Sequence, residues 1–161
     1  MNRRTVIAAG VAGITAAAAT TKANAASDNP ELDKIKDLLS AHDKAMTAHD
    51  LDGVMATLAA DAAIMGTGPG EMYTGSDQIK EAYEHFFMVF DKGAQNFEYT
   101  SRVGGLSSEM GWLMTSGDVT GKREGKDFAY PLNISLTVSK GGDDWKIAGM
   151  HFSTLTGEAE A

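Results

Sequence analysis

From Leu32 onward, apolar and histidine positions recur three and four residues apart, at Leu32, Ile35, Leu39, His42, Met46 and His49. That spacing predicts one face of an amphipathic helix. Asp50 then stands where a cap is needed for a second, shorter helix carrying Leu51, Val54, Met55 and Leu58. His49, at the end of the first helix, reads as a cation set against the last carbonyls. Ala62 to Met65 reads as a short strand, and Gly66 to Gly75 as a glycine-rich connection. Ser76 is a suitable N-cap for a third helix that reaches Phe90, with Ile79, Tyr83, Phe86, Phe87 and Phe90 on its buried side.

Past Asp91-Lys92-Gly93 the period changes to two. Strands are predicted over 95–104, 108–120, 126–139 and 144–153, joined by glycine-containing turns. No internal repeat and no dividing linker interrupts the pattern. The order predicts an α+β fold: a cone-shaped, curved, mostly antiparallel sheet covered by three N-terminal helices and enclosing a pocket.

The ends carry a different signal. Arg3-Arg4, the uncharged stretch Val6 to Ala19 and the small-x-small triplet Ala23-Asn24-Ala25 read as a signal peptide over 1–25. The arginine pair suits the twin-arginine type, which implies a periplasmic or secreted protein. The apolar run is short and alanine-rich against the roughly 20 strongly apolar residues of a membrane span. Residues 26–31 then form a polar leader, 32–154 the domain, and 155–161 a disordered tail.

Removing Arg3, Arg4 and Lys22 leaves 11 of the 14 basic residues against 22 acidic ones, a net charge of about −11. Such a chain is a poor partner for nucleic acid or an anionic membrane, which require clustered Lys and Arg. With no cysteine, disulfide and thiolate chemistry are both excluded. His42 and His49 lie about 10 Å apart along a helix, too far to share a metal. No cofactor is expected.

The segments Ala45-x-x-x-x-Asp50-Leu51-Asp52-Gly53-Val54, Ala60-Asp61-Ala62, Gly75-x-x-x-Ile79-x-x-x-Tyr83 and Pro131-Leu132-Asn133 together resemble the nuclear transport factor 2-like superfamily. Within it the chain looks like SnoaL-like domains and bacterial ketosteroid isomerases, over roughly residues 32–153. The resemblance to the isomerases implies a carboxylate base on the first strand and two oxyanion donors. Counted along the chain, the donor positions fall on His42 and Asn133, which can both donate hydrogen bonds. The base position falls on Gly66, which has no side chain. A substitute would have to come from elsewhere, with Glu71, Asp118 and His151 as candidates.

In strand 126–139 one row holds Phe128, Tyr130, Leu132, Ile134, Leu136 and Val138, and the other holds Ala129, Pro131, Asn133, Ser135 and Thr137. If Asn133 faces the cavity, as the resemblance implies, the apolar row points outward and a second subunit covers it, sheet against sheet. A bulge that switches the faces is the alternative. Met46, Tyr83 and Trp112 are expected to line the pocket. Asp118 is either a solvated strand-end carboxylate or a pocket acid. His151 and Ser153 share one face of the last strand, Met150 and Phe152 the other, and periodicity leaves open which looks inward. Glu71 and Tyr73 are placed on the rim, where they could gate entry. Two functions fit: a module binding a small apolar molecule, as a homodimer through the outer sheet face, or a cofactor-free isomerase, dehydratase or cyclase with a relocated base.

Overall fold

The computed structural model describes residues 29–154. The export signal read over 1–25, the first part of the leader and the tail over 155–161 lie outside the described residues. The fold opens on Asn29, whose side chain accepts a hydrogen bond from the Glu31 amide at 3.1 Å. Pro30 takes the first helical position, where a missing N–H is harmless. Helix α1 therefore covers Pro30–Ala48, starting two residues inside the leader read over 26–31. Asp50 caps helix α2 (Leu51–Thr57), its carboxylate accepting from the Gly53 amide at 3.0 Å.

His49 between them is a left-handed C-cap with φ 49°, and its backbone N–H reaches the Ala45 and Met46 carbonyls. Its ring stacks on Phe87 at 4.5 Å. Burial, and then the nearby Lys92 charge, hold the imidazole below its usual range. Packing, rather than a charge on the carbonyls, is its role.

The remaining elements are β1 (Leu58–Met65), β2 (Met72–Thr74), α3 (Gly75–Val89), β3 (Asn96–Leu106), β4 (Met110–Arg123), β5 (Lys126–Gly141) and β6 (Asp144–Ser153). They form one curved sheet in the order β2-β1-β6-β5-β4-β3. Among the described residues only β1 and β6 run parallel. Strand β2 lies in the stretch read as a connection, because three residues are too few for a period to register. Thr74, with φ −131°, is the N-cap of α3, and its amide donates to the Gln78 side-chain oxygen at 2.9 Å; Ser76 lies inside the helix.

The core forms between the three helices and one face of the sheet. Val54, Ala62 and Ile147 are fully buried, and Ile79 and Val138 are 1% exposed. Residues directly opposite each other in a ladder share a face. Leu136 lies opposite Leu113 and Met150, and Val138 opposite Gly111 and Ile147, which marks the helix-covered inner face. A register shift beside Thr137 and Val138 lets both Ile147 and Met150 turn inward.

This overturns the face assignment that the resemblance implied for Asn133. The row containing Leu132, Ile134, Leu136 and Val138 points into the core, and Asn133, Ser135 and Thr137 point out. The reason is energetic: each large apolar side chain contributes about 1.5–3 kcal/mol when buried. The hydroxyls and amide of the other row would lose their hydration there.

The N-terminal end of α1 is tied to the β5–β6 hairpin through one carboxylate. Trp145 Nε1 donates to Glu31 Oε2 at 2.7 Å, and Lys140 Nζ lies 3.0 Å from the same oxygen. Hydrogen bonds from Lys140, Trp145 and Lys34 hold the Glu31 carboxyl at about 2.

Ile147, the fourth residue of β6, is fully buried. Ile147→Ala is predicted to cost about 2–5 kcal/mol, lowering the unfolding midpoint by roughly 10 °C. Thermal unfolding followed by circular dichroism measures this, and an unchanged midpoint would contradict the placement of the core.

Candidate functional site

On the inner face, α1, α2 and α3 bring three polar side chains together inside the core. His42 Nδ1 lies 2.8 Å from Thr57 Oγ1. The Thr57 hydroxyl already donates to the Val54 carbonyl at 2.6 Å, so it accepts from His42. The imidazole therefore carries its proton on Nδ1, and Nε2 is left as an acceptor for the Tyr83 hydroxyl, a long contact at 3.4 Å. All three side chains are buried. Burial pushes His42 from an ordinary 6.5 down to about 4 and pushes the Tyr83 phenol well up, so both are neutral across the physiological range.

One residue along α1 is Asp43. It still reaches solvent, but the surrounding protein raises its carboxyl above the ordinary range. Its charge, after burial, also raises the Tyr99 phenol on β3. The Arg102 guanidinium lies 5.1 Å from the Tyr99 ring centroid. Register puts Tyr99 opposite Gly117 and Arg102 opposite Thr115, all on the inner face. A row therefore crosses four strands as Phe152, Ile134, Thr115 and Arg102. Thr115 is only 7% exposed, and its hydroxyl has no hydrogen-bond partner among the described residues. Tyr99, by contrast, is 46% exposed. The inner face thus passes from a closed polar cluster at His42 to an open edge at β3.

The structure brings together some of the residues singled out in the sequence and separates others. His42 and Tyr83 meet, and Met46, one turn further along α1, packs against the core. Tyr73 lies opposite Ile64 and packs on the core as well. Asn133 does not join His42. It lies on the outer face between Ser116 and Ser153, exposed. Trp112 is also on that face, opposite Thr137, and so is Asp118, opposite Pro131 and Glu98. His151 lies there between Met65 and Ser135. The pairing that fixes β5 carries all four outward.

Glu71 has a local task. Its carboxylate accepts from the Gly68 amide at 2.8 Å and fills the space that a side chain on Gly66 would need. The missing side chain at Gly66 is thus the condition for this closed loop. Thr57, Asp43, Tyr99 and Thr115 were not picked out from the sequence. The one available signal was the row Leu113, Thr115, Gly117 and Val119, whose small members make room on the inner face.

The His42 cluster gives a pH dependence with a definite sign. The unfolded chain protonates this histidine near 6.5, the folded chain only near 4. The stabilisation is complete above 6.5, declines as pH falls from 6.5 to 4, and changes no further below that. The loss is on the order of 3 kcal/mol. Urea unfolding of the wild type and of His42→Leu at pH 7 and pH 4.5 tests this. The variant, less stable at pH 7, is predicted to have the shallower acid slope, and equal slopes would contradict the assignment.

Residues 35–157 match the SnoaL-like domain family. Among solved structures, a ketosteroid isomerase-like protein from Erwinia carotovora atroseptica SCRI1043 superposes with a TM-score of 0.66. It is 22% identical over 80% of this chain and 99% of its own. A nuclear transport factor 2-like protein of unknown function from Pseudomonas putida KT2440 gives 0.67, with 14% identity over 81% and 90%. A candidate dehydratase of that same family from Streptomyces avermitilis gives 0.68, with 11% identity over 80% and 99%. At these identities the likeness establishes the fold alone. No curated protein matches the chain at a significant level. With the family match spanning most of its length, the chain belongs to the SnoaL-like domain family, and it shares the fold of these nuclear transport factor 2-like structures.

Proposed function

We propose that the inner face of the cone binds a small, largely apolar, uncharged molecule carrying one hydroxyl or carbonyl group. The observation that carries this reading is the Thr115 hydroxyl, nine-tenths buried and without a partner among the described residues. A buried polar group left unpaired costs about 1–3 kcal/mol, and a guest that supplies its partner recovers that cost. Ile134 and Phe152 continue the same row as apolar wall. The Asp43 and Arg102 charges act on Tyr99 in opposite directions, which favours a neutral guest over an ion. The proposal includes export to the periplasm or medium, supported by Arg3-Arg4, the uncharged stretch after them and Ala23-Asn24-Ala25.

A second reading, cofactor-free proton transfer of the isomerase or dehydratase kind, is favoured by Asp43. A carboxyl raised by burial is better matched to moving protons near neutral pH than an ordinary one. Its charge acts on Tyr99 of the inner face, whereas Asp118 and His151 lie on the outer face and Glu71 caps its own loop. The similar ketosteroid isomerase-like protein and candidate dehydratase make this class the natural one to test.

Backbone NMR during titration with 1-naphthol distinguishes the readings from their failure. Saturable shifts are expected at Thr115 and Ile134, with binding weakened about 5- to 20-fold by Thr115→Val. Shifts confined to Trp112 and His151, or indifference to Thr115→Val, would contradict the binding site. For catalysis the probe is ring opening of 5-nitrobenzisoxazole, a one-step proton abstraction. Asp43→Asn is expected to lower a wild-type rate at least tenfold, and a wild type no faster than acetate would confine the function to binding.

A further inference from the structure

With no cysteine in the chain, its soft and borderline metal donors are methionine thioethers and histidine imidazoles. Strand pairing gathers several of them on the outer face of the sheet. Met72 lies directly opposite Met65, and Met65 pairs on its other side with His151. The row continues through Ser135 to Met114. Met65, Met72 and Met114 are 38%, 50% and 55% exposed, and His151 is exposed as well. All four line one hollow of about 310 Å³. The adjoining row supplies its floor with the small residues Ala63, Gly149 and Thr137. Trp112 forms the far wall, its ring lying over Gly105 in the space a side chain there would need.

We propose that Met65, Met72 and His151 form a binding site for one soft monovalent cation, Cu(I) or its counterpart Ag(I). Three observations select that chemistry. The first is the donor set. Two thioethers and a neutral imidazole bring no charge, and thioethers favour Cu(I) over ions that prefer oxygen. No Asp, Glu, Lys or Arg stands in this row or in the adjoining one, so a hard cation such as Ca²⁺ or Mg²⁺ finds no carboxylate there. Among the described residues, no three His, Asp or Glu side chains gather into a site of that harder kind. The formal charge of −8 still draws cations to the molecule.

The second is reach. Neighbouring strands lie about 4.8 Å apart, so Met65 has a donor one strand away on either side. Methionine is unbranched and flexible, which lets the sulfurs of Met65 and Met72 turn toward the His151 ring. Met114, across the small Ser135, supplies a fourth donor from the other side of the hollow.

The third is the state of the other histidines. His42 is buried against Thr57 and Tyr83, and His49 stacks on Phe87. His85 and Met88, three residues apart on α3, make a pair of donors and no more. Of the four histidines, His151 is the one paired with an exposed thioether that itself pairs with another. An imidazole in a methionine row weakens an apolar patch but completes a soft donor set. The site lies on the face opposite Thr115 and does not depend on the reading given to that residue.

Methyl NMR of the purified chain labelled at methionine, titrated with silver nitrate in chloride-free buffer, reads the site directly. Ag(I) shares the ligand preference of Cu(I) and does not oxidise in air. The Met65 and Met72 methyl signals are expected to shift first and to saturate at one equivalent. Met88 is 72% exposed with only His85 beside it, and should respond about ten times more weakly. Met65→Leu, a swap that conserves volume, is expected to weaken Ag(I) binding about 30-fold, and Met88→Leu to leave it unchanged. Zn(II) at equal concentration should not displace the Ag(I). Circular dichroism reports whether each variant folds, and the wild-type titration decides if Met65→Leu does not. Met65 and Met72 shifting no sooner than Met88, a folded Met65→Leu with unchanged affinity, or displacement of Ag(I) by Zn(II) would overturn the proposal.

Discussion

The burial of one row of β5 governs the rest of the molecule. Leu132, Ile134, Leu136 and Val138 face the helices, and β5 is paired along most of its length with β4 on one side and β6 on the other. Because opposite residues share a face, that single choice decides what every neighbouring strand presents inward. It turns Leu113, Thr115, Gly117 and Val119 of β4 inward and Met110, Trp112, Met114 and Ser116 outward. On its own β4 would prefer the reverse, since its bulkiest side chains lie in the outward row. The ladder overrides the strand.

From this follows the division of labour between the two faces. The inner face keeps a closed set of neutral hydrogen bonds at His42, Thr57 and Tyr83, then an unpaired hydroxyl at Thr115, then the open edge at Tyr99 and Arg102. The closed set rigidifies α1 against α2 and α3, and the unpaired hydroxyl is where a guest can gain a hydrogen bond. The outer face receives the large apolar side chains that the core did not take. One strand thereby decides what both faces of the sheet present.

Much of this was legible in the sequence, for identifiable reasons. The spacing of three and four in α1, the Asp50 cap and the change to period two after Gly93 are local signals, and each corresponds to an observed element. The resemblance to SnoaL-like domains was legible too, as an order of short segments. Strand β2 escaped because it has three residues. The site was harder to read. Asn133 was assigned inward by position within the family pattern, although its own strand alternates in a way that sends it out. Thr57, Asp43 and Thr115 gave no signal, because their roles arise from contacts between elements distant in sequence. Glu71 explains Gly66: the loop folds its carboxylate into the space a side chain would occupy.

The choice of face can be probed at two positions five residues apart on one strand. Val138 is 1% exposed on the inner row, and Asn133 is exposed on the outer row. Equilibrium unfolding of Val138→Asp and Asn133→Asp, compared with the wild type at one concentration, is the most direct measurement. A charge at 138 should cost at least about 4 kcal/mol or abolish folding, while one at 133 should cost about 1 kcal/mol or less. An Asn133→Asp variant more damaged than Val138→Asp would contradict the account.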